Sequence, residues 1–152
     1  MLIPFSLQKE NYALSSSSGT STNSTADSTY YDVTNMSVSL TVSGQKPVWV
    51  GLIPDLAGNG CFFEIYSSTF PVQPKFRFTR NGSSIYTGRH TVNDTTCSIT
   101  VFGLRLPPGV LQVVDLEPTS GTHTYKFQTM VDTAGNTITI QNAKLLAIEL
   151  QY

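Results

Sequence analysis

Gly121-Thr122-His123-Thr124-Tyr125-Lys126-Phe127-Gln128-Thr129-Met130-Val131-Asp132, together with the closing Leu145-Leu146-Ala147-Ile148-Glu149-Leu150-Gln151-Tyr152, is the stretch whose reading decides the fold. From His123 to Asp132, Tyr125, Phe127, Thr129 and Val131 fall on one side while Thr124, Lys126, Gln128 and Met130 fall on the other. That is the period of a half-buried pleated strand. Asp132-Thr133-Ala134-Gly135-Asn136 supplies residues that tolerate positive φ, so the chain is expected to turn back as a hairpin into Thr137-Ile138-Thr139-Ile140. A second turn, Gln141-Asn142-Ala143-Lys144, leads into residues 145–150, which are apolar on both faces. A solvated antiparallel strand has one polar face, so the second face of this one needs a cover. Either the rest of the domain or an identical copy can supply it.

Working outward, Met36, Val38, Leu40 and Val42 alternate with Ser37, Ser39 and Thr41, a second half-buried strand. Val48-Trp49-Val50-Gly51-Leu52-Ile53 is apolar on both faces and reads as central in a sheet. Residues 61–66 form an aromatic-rich strand, and Phe76 and Phe78 alternate with Lys75, Arg77 and Thr79 up to Asn81-Gly82. Asn-Gly between alternating runs is a strong short-range hairpin signal, with Ile85 and Tyr86 on the return strand. Residues 97–102 and 110–114 are two more strands, separated by the break Leu106-Pro107-Pro108-Gly109. No apolar pattern recurs at three-to-four spacing, so no helix is expected. Eight to ten short strands at this spacing indicate an all-β sandwich or barrel.

The 152 residues suit one domain. Residues 1–14 read as an extended arm, residues 15–29 as a Ser/Thr-rich linker or edge strand, and residues 30–152 as the head domain. Charged residues make up only 12% of the chain, about half the usual share, and the net charge is −1. Ser, Thr, Asn and Gly therefore carry its solubility. No concentrated basic surface exists to neutralise phosphates, so no nucleic-acid partner is expected. The longest apolar run is six residues, so no membrane partner is expected either, and the start shows no secretory signal. Cys61 and Cys97 are too few for a disulfide scaffold; they either pair or serve as two buried thiols, the second being the commoner use.

The residues that carry chemistry are scattered. His90 and His123 have no His or Cys beside them at metal-ligand spacing, and Asp55, Asp94 and Asp132 sit in turns, where Asp bonds its own backbone. There is no nucleophile elbow and no phosphate-cradling glycine loop. The sequons at Asn23, Asn35, Asn81 and Asn93 are coincidences expected of a Ser/Thr-rich chain, and the tyrosines read as core rather than as sugar platforms. Neither catalytic residues nor metal ligands nor cofactors are expected, and the chain does not read as an enzyme.

Asp32-Val33-Thr34-Asn35-Met36-Ser37-Val38, Gly44-Gln45-Lys46-Pro47-Val48, Phe78-Thr79-Arg80-Asn81-Gly82, Gly121-Thr122-His123-Thr124-Tyr125-Lys126-Phe127 and Lys144-Leu145-Leu146-Ala147-Ile148-Glu149-Leu150 follow one another in an order that resembles the trimeric jelly-roll heads of the tumour necrosis factor and complement-head type, especially those of bacteriophage virions. The resemblance implies a trimeric jelly-roll β-sandwich whose subunits meet through the sheet containing the last strand, with Tyr125, Phe127, Leu145, Ala147 and Tyr152 at the interface. No collagen-like, coiled-coil or membrane-anchoring stalk precedes the head, so the arm is the expected attachment, through Leu2, Ile3, Phe5 and Leu7, to a major capsid protein or another virion protein. The function expected is that of a capsid cement or decoration protein on the virion surface. The alternative is a tail-fibre or baseplate head that binds a host glycan or protein through loops near Asn59 and Pro107.

Overall fold

The computed structural model describes residues 11–56, 60–91 and 101–150. Its twelve strands are β1 (Asn11–Leu14), β2 (Thr20–Asn23), β3 (Tyr31–Val42), β4 (Val48–Pro54), β5 (Phe62–Ser67), β6 (Lys75–Arg80), β7 (Ser83–Arg89), β8 (Phe102–Leu106), β9 (Gln112–Asp115), β10 (Gly121–Met130), β11 (Asn136–Gln141) and β12 (Ala143–Glu149). Among the described residues the only helical element is a single 3-10 turn at Pro108–Val110. All strand pairings between these elements are antiparallel. One layer of the sandwich has the order β3-β10-β6-β7.

The other layer is built from long strands, each broken once. Its two halves have the orders β1-β12-β4-β9 and β2-β11-β5-β8, so the same four lengths of chain lie side by side in both. The breaks fall at Ser15 to Gly19, between β4 and β5, at the Pro107-Pro108 turn and at Asn142, whose φ is +50°. Hydrogen bonds continue across the bend: Ser15 N donates to Leu145 O, Ser18 N to Ala143 O and Asn142 N to Gly19 O. The Ser15 and Ser18 hydroxyls also accept from Leu145 N and Ala143 N. A serine-rich stretch is thereby stitched into the sheet by its hydroxyls, between β1 paired with β12 and β2 paired with β11.

The expected hairpin over residues 123–140 does not form. β10 pairs with β3 and β6, whereas β11 pairs with β2 and β5, so residues 131–135 carry the chain from one layer to the other. The turn residues suit a reversal, but both strands have apolar inward faces that need opposite walls of the core. Likewise, Gln141-Asn142-Ala143 is a kink within one long strand rather than a reversal. The Asn81-Gly82 signal does produce a hairpin, β6–β7, with φ of +51° and +83° at the two turn residues, the mirror-image turn that matches strand twist.

The core lies between the layers. Tyr125, Phe127, Phe78, Phe63, Ile65, Leu52, Val50, Ile138, Ile140 and Leu145 are fully buried in it. Polar ties close it at the end where β1 starts and β12 stops. The Glu149 carboxylate accepts from Ser43 N at 2.7 Å, Ser43 Oγ at 2.5 Å and Asn11 Nδ2 at 3.0 Å. The Asp115 carboxylate, on β9, takes Arg80 Nη1 of the opposite layer at 2.8 and 2.9 Å and the Tyr125 hydroxyl at 3.0 Å. Burial pushes the Tyr125 phenol up, and the neighbouring Asp115 carboxylate adds to the shift. His123, also buried, donates from Nε2 to Thr119 O at 2.6 Å and meets Asn81 Nδ2 through Nδ1 at 2.9 Å.

Burial alone opposes ionisation of Glu149, but the Ser43 and Asn11 hydrogen bonds outweigh it and hold the carboxyl below its ordinary value of 4.5. A depressed carboxyl contributes stability above its unfolded pKa and loses it as pH falls through the folded value. Glu149 is 5% exposed. Glu149→Gln should therefore cost about 1.5–3 kcal/mol at pH 7, the worth of hydrogen bonds to a buried charge. The difference from wild type should shrink as the pH drops below 4.5, as read from urea denaturation at a series of pH values.

Candidate functional site: an apolar outer sheet face

The pleat sends alternate side chains of β12 in opposite directions. Ala143, Leu145 and Ala147 point inward and are 0% exposed, which leaves Lys144, Leu146 and Ile148 on the outer face. The registers place neighbours beside them. Tyr12 lies opposite Ile148, Ile148 opposite Trp49, and Trp49 opposite Val114, a continuous apolar row across all four strands. The next row is Leu14, Leu146, Gly51 and Gln112, and Ile53 flanks Lys144. Tyr12, Leu14 and Val114 are 59%, 46% and 40% exposed. Trp49, Leu146, Ile148 and Ile53 are half-buried.

Trp49 lies flat in the middle of this face. Its ring covers Gly51, where an added Cβ would stand 2.5 Å from Trp49 Cη2, and its Nε1 donates to Gln112 Oε1 at 2.7 Å. The indole is thus fixed by a glycine beneath it and an amide at its edge. Lys144, which pairs with Asp55 at 3.1 Å, is the charged side chain that β12 sends to this outer face, Glu149 lying on the inner one.

The other outer surfaces mix polar pairs with single exposed aromatics, Tyr66 on β5 being 43% exposed. On β3-β10-β6-β7 the outer rows are Thr41 with Thr122, Ser39 with Thr124, and Lys126 with Asp32, joined at 2.8, 3.1 and 2.6 Å, and Arg77 donates to Gln128 at 2.6 Å. On the lower half of the bent layer, Thr22 meets Thr139 at 3.1 Å, Glu64 pairs with Arg105, and the Arg105 guanidinium covers Phe62. The bend therefore separates an upper half dominated by apolar side chains from a lower half in which threonines and an ion pair lie among Phe62 and Tyr66. Tyr12, Ile148, Trp49 and Val114, with Leu14 and Leu146 in the next row, thus make one contiguous apolar patch.

The side chains expected at a subunit interface are placed differently. Tyr125, Phe127, Leu145 and Ala147 are 0% exposed inside the chain's own core, so no contact with another copy reaches them. Tyr152, Leu2, Ile3, Phe5 and Leu7 lie outside the described residues, as do Asn59, Asp94 and Cys97. Cys61 is a half-buried thiol whose ionisation burial opposes. Pro107 sits at the bend in mid-layer, not at a distal end. Among the described residues no three His, Cys, Asp or Glu side chains gather in a metal-binding group, and no helix is long and apolar enough to cross a membrane. Tyr12, Leu14, Trp49, Val114, Leu146 and Ile148 are the face that sequence reasoning missed. The signal was the same two-sided apolarity of residues 145–150, taken with the opposite parity.

No protein-family model matches the chain, nor does any curated protein sequence. Among solved structures, the dimeric latent PorU of Porphyromonas gingivalis is similar over 100% of this chain and 14% of that one, with 10% identity and a TM-score of 0.43. The infectious bursal disease virus Gx strain structure is similar over 98% of this chain and 42% of that one, with 9% identity and a TM-score of 0.30. The chain thus spans well under half of either structure's chain, and at these TM-scores neither likeness bears on function.

Two substitutions separate core from face. Leu145→Ala should destabilise the domain by about 2–5 kcal/mol, the cost of a cavity in a packed core. Gly51→Ala should cost about 1–3 kcal/mol by overpacking and should shift the Trp49 fluorescence, because the indole must leave its seat. An unmoved emission spectrum would contradict the stacking of Trp49 on Gly51.

Proposed function

We propose that this chain is a non-enzymatic virion structural protein, a homotrimeric jelly roll that sits on a capsid surface as a cement or decoration protein. The observation that carries the reading is the continuous apolar row across the outer face of β1-β12-β4-β9, on a domain whose other sheet faces carry cross-strand hydroxyl pairs and ion pairs among single exposed tyrosines. Counting β1/β2, β4/β5, β8/β9 and β11/β12 as single long strands gives eight strands in the orders 1-8-3-6 and 2-7-4-5. That order supports the jelly-roll part of the reading, since each layer alternates early and late strands as two Greek keys do. In the trimer the copies meet through Tyr12, Leu14, Trp49, Val114, Leu146 and Ile148. Attachment to a major capsid protein or another virion protein falls to the residues before Asn11, with Leu2, Ile3, Phe5 and Leu7 as the anchoring side chains.

A second reading, the receptor- or glycan-binding head of a tail fibre or baseplate, draws support from the end of the sandwich remote from Asn11. There Thr69 Oγ1 donates to Ala134 O at 2.5 Å, Ser67 bonds Asn136, and Lys75 pairs with Asp132 at 2.7 Å. These ties brace residues 68–74 and 131–135 against each other, and rigid loops suit recognition. Under this reading the isolated protein binds host cells saturably, and changes within residues 68–74 abolish that binding.

Light scattering should give three chain masses for both the full chain and residues 11–152. Ile148→Glu should yield a folded monomer with an unchanged circular dichroism spectrum, because one charge on each copy's apolar face opposes association. Particles stripped of this protein should bind the full chain and not residues 11–152. A monomeric wild type would overturn the assembly reading, and equal particle binding by both lengths would overturn attachment by the arm.

A further inference from the structure

At the end of the sandwich where β1 starts and β12 stops, a cleft of about 350 Å³ lies between the β3–β4 turn and the β9–β10 connection, lined by Gly44, Gln45, Leu116, Glu117, Pro118 and Thr119. That volume is within the range of about 300–1,000 Å³ in which proteins bind small groups and peptide side chains. Both walls are held in place. The 115–120 wall is gripped by Arg80, which bonds the Asp115 carboxylate and donates to Glu117 O at 3.2 Å, and by His123, which donates to Thr119 O. On the facing wall, Ser43 is bound to Glu149. Gly44 has a φ of +89°, and a Cβ there would stand 2.2 Å from Ser120 N, so the two walls touch at a point where only glycine fits.

The lining has two features that the domain does not use for itself. Leu116 is 71% exposed, an isolated leucine held out beside the buried Pro118. Glu117 is exposed, and among the described residues its carboxylate has no hydrogen-bond or ion-pair partner, Arg80 being committed to Asp115 and to backbone. An apolar side wall next to an unneutralised carboxylate in a fixed cleft complements a polypeptide that carries an apolar side chain beside a cation.

We propose that this cleft takes an extended segment of a virion partner, its apolar side chain packed on Leu116 and an adjacent lysine or arginine paired with Glu117. The assignment of that partner to the virion rests on the function proposed above, and the cleft lies at the same end as Asn11, where the arm joins the domain. It makes the arm one of two contacts with the particle, and linking two weak contacts raises overall affinity without new chemistry.

The test is an NMR titration of the full chain with two capped heptapeptides, Gly-Ser-Leu-Lys-Leu-Ser-Gly and the same sequence with Glu in place of Lys. The expected result is saturable shifts of the Gly44, Gln45, Leu116, Glu117 and Thr119 amides with the lysine peptide alone. Glu117→Lys should weaken that binding by about tenfold, since a like-charge contact replaces an exposed ion pair. Leu116→Ser should weaken it while leaving the spectrum elsewhere unchanged. Shifts with both peptides alike, or with neither, overturn the proposal. Particle binding by Glu117→Lys separates the two readings: normal peptide binding by wild type without any particle binding sinks the virion role alone, whereas particle binding unaffected by Glu117→Lys sinks the cleft as a particle contact.

Discussion

Everything in this domain turns on the pleat of its last strand. Because side chains alternate strictly, a strand that is apolar at both parities must give one set to the core and the other to the outside. In β12 the inward set is Ala143, Leu145 and Ala147, and the outward set includes Leu146 and Ile148. The neighbouring strands follow the same parity through their hydrogen-bond registers, so Tyr12, Trp49 and Val114 join the outward set. A one-residue slip of β12 against β4 would exchange the two sets and put Lys144 and Ile148 into the core. Register and surface character are one constraint.

A chain with few charges has placed several of them where they bridge elements. Glu149 ties the end of β12 to the start of β1 and to the β3–β4 turn. Asp115 draws Arg80 and Tyr125 from the opposite layer to β9. Each of these buried carboxylates receives at least three hydrogen bonds, the condition under which a buried charge is tolerated rather than destabilising. Elsewhere hydroxyls take the part that lysine and glutamate play on most surfaces. Thr41 and Thr122, Ser39 and Thr124, and Thr22 and Thr139 form hydroxyl pairs across strands that solvate the sheet faces without charge. Against that background the upper half of the bent layer stands out for its apolar row across four strands.

The bend itself decides where that surface stops. Above it the layer presents Trp49 seated on Gly51; below it the same four lengths of chain present threonines, Tyr66 and the Glu64–Arg105 pair over Phe62. The interruptions at Ser15 to Gly19, Pro107-Pro108 and Asn142 allow one layer to carry two surfaces of different chemistry. The same arrangement places Asn11, the end of β12 and the Leu116–Glu117 cleft at one end, away from the braced 68–74 and 131–135 loops.

The all-β class, the central position of residues 48–53 and the Asn81-Gly82 hairpin were legible in the sequence, because each depends on local period or local turn geometry. The two-sided apolarity of residues 145–150 was legible too, and with it the existence of a second apolar face. Which parity faced outward was not, since Leu145 and Leu146 are alike as residues and only the register against β4 and β1 tells them apart. Nor did the turn-forming Asp132 to Asn136 reveal that the chain crosses between layers there, because a turn residue sets a backbone angle and not the partner of the next strand. The serine-rich residues 15–18 read as polar chain; only the tertiary structure, by placing Leu145 N and Ala143 N within reach of two hydroxyls, makes them part of a sheet. Local chemistry decided the elements, and long-range pairing decided which of their faces the molecule shows.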